Sequence, residues 1–110
     1  ISSVGCIPVP MDAWDLDVVV TGSQKGFMVP PGLAFAAVGP RAVEAAKTAT
    51  LPRFYFDFNR AFSYYDQGQT PWTPAVSVMF SLDLALKKML ADGMGAVYEK
   101  HAQLMTFEVV

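Results

Sequence analysis

At 110 residues and 12.0 kDa the chain has room for one small domain. It is 53% hydrophobic and only 16% charged, where an average soluble domain carries about 25% charge. A formal net charge of -2, with eight Lys and Arg residues scattered along the chain, excludes the basic footprint of a nucleic-acid binder. The nearest thing to a basic cluster is Lys87-Lys88. Cys6 has no second cysteine to pair with and fits a reducing compartment. No apolar run approaches the roughly 18 residues that mark a membrane span, and the first residues lack the positive charge of a secretory signal. These features favour the cytoplasm. So little charge on so small a body reads as a segment from the interior of a larger protein, or as a large subunit interface. The chain starts on Ile1 and ends on Phe107-Glu108-Val109-Val110 without an obvious cap, so the expectation is an incomplete chain.

Ile1 to Ile7 reads as a short buried strand stopped by Pro8 and Pro10. Met11 to Asp15 forms a turn or one helical turn, with Asp12 placed to cap it. Asp17 to Thr21 is a second strand, and its β-branched run predicts a parallel strand covered on both faces. Gly22 to Gly32 is a loop containing Pro30-Pro31-Gly32, and Leu33 to Val38 is a third, alanine-rich strand. Gly39-Pro40 opens a helix with Val43 and Ala46 inward, ended by Ala49-Thr50-Leu51-Pro52. Arg53 to Phe58 is an extended aromatic piece in which Arg53 has no evident purpose, and Asn59 to Tyr65 makes a helical turn or two. Thr73 as N-cap and Pro74 at the first helical position begin the clearest helix. Val76, Met79, Leu82, Leu86, Met89 and Leu90 form its apolar stripe, Asp83 pairs with Lys87, and Gly93 stops it. Met94, Val97, Tyr98, His101, Leu104 and Met105 stripe a last helix, in which His101 reads as a packing residue. Buried strands with helices outside predict a layered α/β protein with a mostly parallel sheet, and three strands need neighbours to complete it.

The chemistry concentrates in Val18-Val19-Val20-Thr21-Gly22-Ser23-Gln24-Lys25-Gly26, an apolar run that delivers one amine to a turn. On these residues alone Lys25 is either an ordinary solvated lysine or a desolvated one placed to form a Schiff base with a carbonyl. Open α/β sheets bind ligands beyond the strand ends, which fits the second reading. A phosphate loop is excluded, because the glycines and the following hydroxyl residue stand at the wrong spacing. Asp12, Asp15 and Asp17 resemble a carboxylate cluster but fit a cap and a strand start, so no metal is expected.

Several linked segments add to this. Thr21-Gly22-Ser23-Gln24-Lys25 followed by Pro30-Pro31-Gly32-Leu33 resembles the cofactor-lysine segment of class V aminotransferases, nearest in flavour to the serine–glyoxylate and alanine–glyoxylate group. The resemblance extends over Ser2-Ser3-Val4-Gly5, Met11-Asp12-Ala13-Trp14 and Asp17-Val18-Val19-Val20 before the loop. After it come Arg53-Phe54-Tyr55-Phe56-Asp57 and Gln69-Thr70-Pro71-Trp72-Thr73-Pro74-Ala75-Val76-Ser77, and the likeness fades from about Gln103 onward.

The resemblance implies the large domain of a fold type I enzyme, with residues 1–110 covering its central to C-terminal part and no complete small domain. It implies that Lys25 binds pyridoxal 5'-phosphate and later moves the proton between substrate Cα and cofactor C4′ as base and acid. Gln24 would reach the cofactor phosphate, and Ser23 would orient the loop. Thr73 would bond the phosphate in the neighbouring subunit of a homodimer, with a shorter or absent contact from Thr70, where relatives often place tyrosine. The implied reaction is transamination between a small amino acid, serine or alanine, and a 2-oxo acid such as glyoxylate. The aspartate for the pyridine nitrogen would lie two residues before Ile1, the glycine-rich phosphate loop and the ring-stacking aromatic further upstream, and the carboxylate-clamping arginine past Val110. Two alternatives therefore stand beside the enzyme: a catalytically incomplete fragment or interaction module retaining the fold, and a lyase of the same fold.

Overall fold

Residues 1–107 are described by the computed structural model, and the Glu108-Val109-Val110 end of the chain lies outside them. Two strands and four helices follow in the order β1 (Val18–Gly22), β2 (Ala34–Val38), α1 (Pro40–Thr48), α2 (Phe58–Tyr65), α3 (Val76–Asp92) and α4 (Met94–Phe107). This is an α/β arrangement, as the strand and helix patterning predicts. No described helix is long and apolar enough to cross a membrane.

The strand pairing departs from expectation. β1 and β2 are antiparallel, with Val18 opposite Val38, Val20 opposite Ala36 and Gly22 opposite Ala34. The two strands and the loop between them therefore form one wide hairpin. Ala34, Ala36 and Ala37 of the alanine-rich β2 lie opposite Gly22, Val20 and Val19. Nor is β1 covered on both faces, since Val19 is buried while Val18 and Val20 are exposed. The β-branched run signalled a strand, but not which faces are covered among the described residues. Along the other edge of β1, the Ile1 backbone nitrogen donates to the Val20 carbonyl. The predicted strand from Ile1 to Ile7 is instead a succession of turns with a single bridge between Val4 and Ile7. Gly5 within it stands at φ 94, outside the range of an extended strand.

Helix boundaries follow local chemistry with one exception. Pro40 occupies the first turn of α1 after Gly39, where its fixed φ and missing N–H do no harm. Gly93, at φ 82, ends α3 in a backbone conformation that glycine reaches without Cβ strain. The exception is the start of α3, whose N-cap is Ala75 and carries no side-chain cap bond. Thr73 and Pro74 lie before the helix, so the predicted capping role of Thr73 is not realised. Phe58, read as part of the extended piece, is the first residue of α2.

Arg53 acquires a role from the tertiary structure. Its Nη1 donates to the Ala49 carbonyl at 2.8 Å and its Nη2 to the Ala46 carbonyl at 3.1 Å, satisfying acceptors left over at the C-terminal end of α1. Asn59 Nδ2 donates to the same Ala46 carbonyl at 2.8 Å. Arg53 Nε lies 3.3 Å from Asp57, which caps α2 by accepting from the Asn59 backbone N–H at 3.0 Å. The end of α1 and the start of α2 are thereby joined. Arg41, at the other end of α1, holds Asp17 at 2.6 Å and Asp15 at 2.9 Å. Two of the three clustered aspartates are thus occupied by one guanidinium. Lys87 meets Asp83 at 2.7 Å, as their spacing on α3 predicts.

The core is sparse. Among the described residues the buried hydrophobic side chains are Val19, Met89 and Val97, the last two bringing α3 onto α4. His101 Nδ1 donates to the Val97 carbonyl at 2.8 Å, a packing role. Leu51, Phe56, Phe80, Leu84 and Leu90 are each more than two-thirds exposed. The radius of gyration is 16.3 Å, where a compact body of this length has about 13 Å. α3 carries apolar residues on several sides, the pattern of a helix covered by more than one neighbour.

Candidate functional site

The loop between β1 and β2 is built around Ser23, which is fully buried. Its backbone N–H donates to the Leu33 carbonyl at 3.0 Å, extending the hairpin ladder one residue past Gly22. Its carbonyl accepts from Val29 N–H at 3.2 Å. Its hydroxyl donates to the Pro30 carbonyl at 2.7 Å and accepts from Leu33 N–H at 3.2 Å. One small side chain thus serves groups that the Pro30-Pro31-Gly32 corner would otherwise leave unpaired. Inside this closure the chain makes two successive turns, Lys25 N–H to the Gly22 carbonyl at 3.1 Å and Met28 N–H to the Lys25 carbonyl at 2.9 Å. Met28 takes φ 59, uncommon for a long side chain and evidence that its surroundings impose the conformation. Phe27 fixes the loop to β2 through an edge-to-face contact with Phe35 at 5.1 Å between ring centroids.

A second constraint comes from backbone packing. A Cβ on Gly26 would lie 2.1 Å from the Val4 carbonyl oxygen, and one on Gly5 would lie 3.2 Å from the carbonyl of Gly26. The lysine loop and the Ser3–Ile7 turn therefore meet backbone to backbone, directly beside Lys25. Sequence spacing gave no sign of this contact, because Gly5 read as part of the Ile1–Ile7 strand and Gly26 as part of the Gly22–Gly32 loop.

Lys25 and Gln24 are exposed at the tip of this rigid loop. Lys47, Lys87 and Lys88 each meet a carboxylate, whereas no hydrogen bond or ion pair engages Lys25 Nζ among the described residues. Gln24 folds back over Gly22, where an added Cβ would stand 2.8 Å from its Oε1. On β1, just before the loop, Thr21 Oγ1 is buried without a partner among the described residues. The arrangement offers a free primary amine and an amide on a fixed platform. A groove of about 740 Å³ between Met28 and Val29 and helices α3 and α4 includes neither Gln24 nor Lys25 in its lining.

Thr70 and Thr73 lie on a different element, the Gln69–Ala75 strap between α2 and α3. Thr70 Oγ1 donates to the Trp72 carbonyl at 2.8 Å, so its hydroxyl proton is used locally. Thr73 is exposed. Among the described residues no hydrogen bond joins either threonine to Gln24 or Lys25. The strap does meet the base of the lysine loop indirectly: a Cβ on Gly32 would lie 3.4 Å from Ala75 Cβ and 3.1 Å from Val78 Cγ2.

No protein-family model matches the chain. Among curated proteins it is 50% identical over 105 residues to a soluble hydrogenase small subunit of Synechococcus sp., covering 96% of this chain and 27% of that protein. It is 41% identical over 104 residues to an L-aspartate–glyoxylate aminotransferase of Paracoccus denitrificans, covering 94% of this chain and 26% of that protein. The chain thus spans about a quarter of the length of the curated relatives it matches. A crystal structure of an aspartate aminotransferase from Thermus thermophilus superposes with a TM-score of 0.76 and 32% identity, over 90% of this chain and 27% of that one. An alanine–glyoxylate aminotransferase from Nostoc sp. shares the fold at a TM-score of 0.88 and 24% identity, over 97% of this chain and 29% of its own. The chain is a partial domain homologous to the serine– and alanine–glyoxylate aminotransferases of class V, with the fold of a fragment of a fold type I aminotransferase.

Proposed function

We propose that this chain is the lysine-bearing part of an aminotransferase large domain, and that it holds the anchoring residue for pyridoxal 5'-phosphate without holding a whole active site. The observation that carries the reading is the Ser23-closed hairpin loop, which presents an unpaired Lys25 amine beside the Gln24 amide. The residues fit an anionic aldehyde: a primary amine for the carbonyl, an amide donor for the phosphate, and an unpartnered Thr21 hydroxyl on the strand that leads into the loop. Bound there, the cofactor would supply an electron sink for charge developing at the substrate Cα.

Each residue has a distinct task. Lys25 would hold the cofactor through its carbonyl, and its amine would take up and return the substrate Cα proton. Gln24 would donate to the phosphate, and Ser23 holds the loop that carries Lys25 closed. Thr73, exposed and not used as a helix cap, serves a cofactor phosphate in a second subunit of a homodimer, with Thr70 contributing less because its proton is already committed. In the complete enzyme the substrates are a small amino acid and a 2-oxo acid such as glyoxylate. The groups that orient the pyridine ring and clamp the substrate carboxylate belong to chain outside these 110 residues. By themselves, therefore, these residues retain the fold and the anchor rather than turnover.

Borohydride reduction after incubation with pyridoxal 5'-phosphate, followed by peptide mapping, tests this. A pyridoxyl group on Lys25, lost in Lys25→Ala and reduced in Gln24→Ala, is the expected result. Labelling spread equally over Lys47, Lys87 and Lys88 would overturn the assignment.

A further inference from the structure

Arg60, on α2, is surrounded by rings and makes no ion pair with a carboxylate among the described residues. Its guanidinium carbon lies 4.6 Å from the Trp72 ring centroid, 5.2 Å from that of Phe54 and 5.9 Å from that of Tyr64. Trp72 is stacked in turn on Tyr55 at 5.2 Å with 19° between planes, and it meets Phe54 at 5.2 Å. Trp72 is the middle of the strap: Gln69 N–H donates to the Tyr64 carbonyl at 2.9 Å at one end, and Thr70 Oγ1 closes onto the Trp72 carbonyl. The indole Nε1 is buried with no hydrogen-bond partner among the described residues. The strap is therefore held at its centre by ring contacts, and the cation among those rings is Arg60.

We propose that Arg60 is a positioning residue that clamps Trp72 and so fixes the Thr70–Thr73 strap against α2, presenting Thr73 in one conformation. Its link to cofactor binding rests on the reading of Thr73 given above. A delocalised guanidinium suits this half-exposed site better than an ammonium, because a planar, weakly hydrated cation can lie against aromatic faces. Arg60 acts through Trp72 and touches no reacting group.

The test uses the full-length protein in a Trp14→Phe background, which leaves Trp72 as the fluorophore of this segment, with a Trp72→Phe control subtracting any other tryptophan. Arg60→Leu keeps the apolar bulk and removes the cation. It is expected to raise acrylamide quenching of Trp72 roughly threefold, with far-UV circular dichroism unchanged, while Arg60→Lys keeps most of the protection. Should Arg60→Leu not fold, Arg60→Gln makes the same deletion of charge with a polar planar group. Titration with pyridoxal 5'-phosphate should show a dissociation constant raised roughly three- to tenfold by Arg60→Leu, and no further increase when Arg60→Leu is added to Thr73→Ala. Unchanged Trp72 quenching in both Arg60→Leu and Arg60→Gln overturns the clamp. If Trp72 is released but Thr73→Ala leaves cofactor affinity unaltered, the reading of Thr73 fails while the clamp stands.

Discussion

Gly26→Ala probes the contact that places Lys25. The added methyl would sit 2.1 Å from the Val4 carbonyl oxygen, 2.9 Å from the Val4 carbonyl carbon and 3.0 Å from Cys6 Sγ. Non-bonded heavy atoms attract one another near 3.5 Å or beyond, so the two segments must separate by about 1 Å or more. The obstacle is backbone, and the turn that carries it depends on Gly5 at φ 94, so no rotamer change relieves the clash. Overpacking costs about 1–3 kcal/mol in general, and a backbone obstacle places this case at about 3 kcal/mol. Against a total stability of about 5–15 kcal/mol that is a large loss. Equilibrium urea unfolding would register it as a lower midpoint at constant slope. Gly95→Ala is the internal control: nothing lies within 4 Å of that position in α4, so alanine should add about 0.5–1 kcal/mol through helix propensity. A Gly26→Ala variant within about 0.5 kcal/mol of the parent, the range of an ordinary surface change, would show that the two backbones do not meet there.

Further outcomes follow from the loop closure and the α1–α2 junction. Ser23→Ala removes the bonds to Pro30 and Leu33 in a fully buried site and should cost about 1–3 kcal/mol. The Leu33 amide should then exchange with solvent faster, and an unchanged exchange rate would count against the closure. For Asp57, burial pushes the carboxyl up, but the Arg53 guanidinium and the Asn59 backbone N–H outweigh it and hold Asp57 below the usual carboxylate range. A carboxyl depressed by folding contributes stability that is present above its unfolded value and lost as pH falls through the folded one. Asp57→Asn keeps a capping acceptor and removes that titration, so urea midpoints followed into acid should fall less steeply than in the parent protein. Equal slopes would show that the Arg53–Asp57 pair is not coupled to folding.

Sequence and structure divide the information along physical lines. Local signals were legible where they act within a few residues: Pro40 opening α1, Gly93 closing α3, the Asp83–Lys87 pair one turn apart, and the β-branched run of β1. The Thr73-Pro74 pair misled, because a cap and a first-turn proline are compatible with a helix start there but do not compel one, and α3 begins only after Ala75. Strand orientation was not legible at all, since a β-branched run looks the same in either direction and only the return through Ser23 and Leu33 makes the pair antiparallel. The roles of Arg53 and Arg60 were not legible in sequence because their partners, carbonyls at the end of α1 and a ring cluster, meet only after α1, α2 and the strap fold together.

Sequence by itself determined that a lysine stands in a glycine- and proline-bounded turn after an apolar strand, because covalent order alone fixes that. Tertiary structure decided why the turn holds its shape. Ser23 gathers groups from both ends of an eleven-residue stretch, Ser23 to Leu33, and Gly26 lets two backbones touch where no side chain fits. Such contacts join residues about twenty positions apart, as Val4 and Gly26 are, and hydrophobic periodicity along a chain carries no record of them.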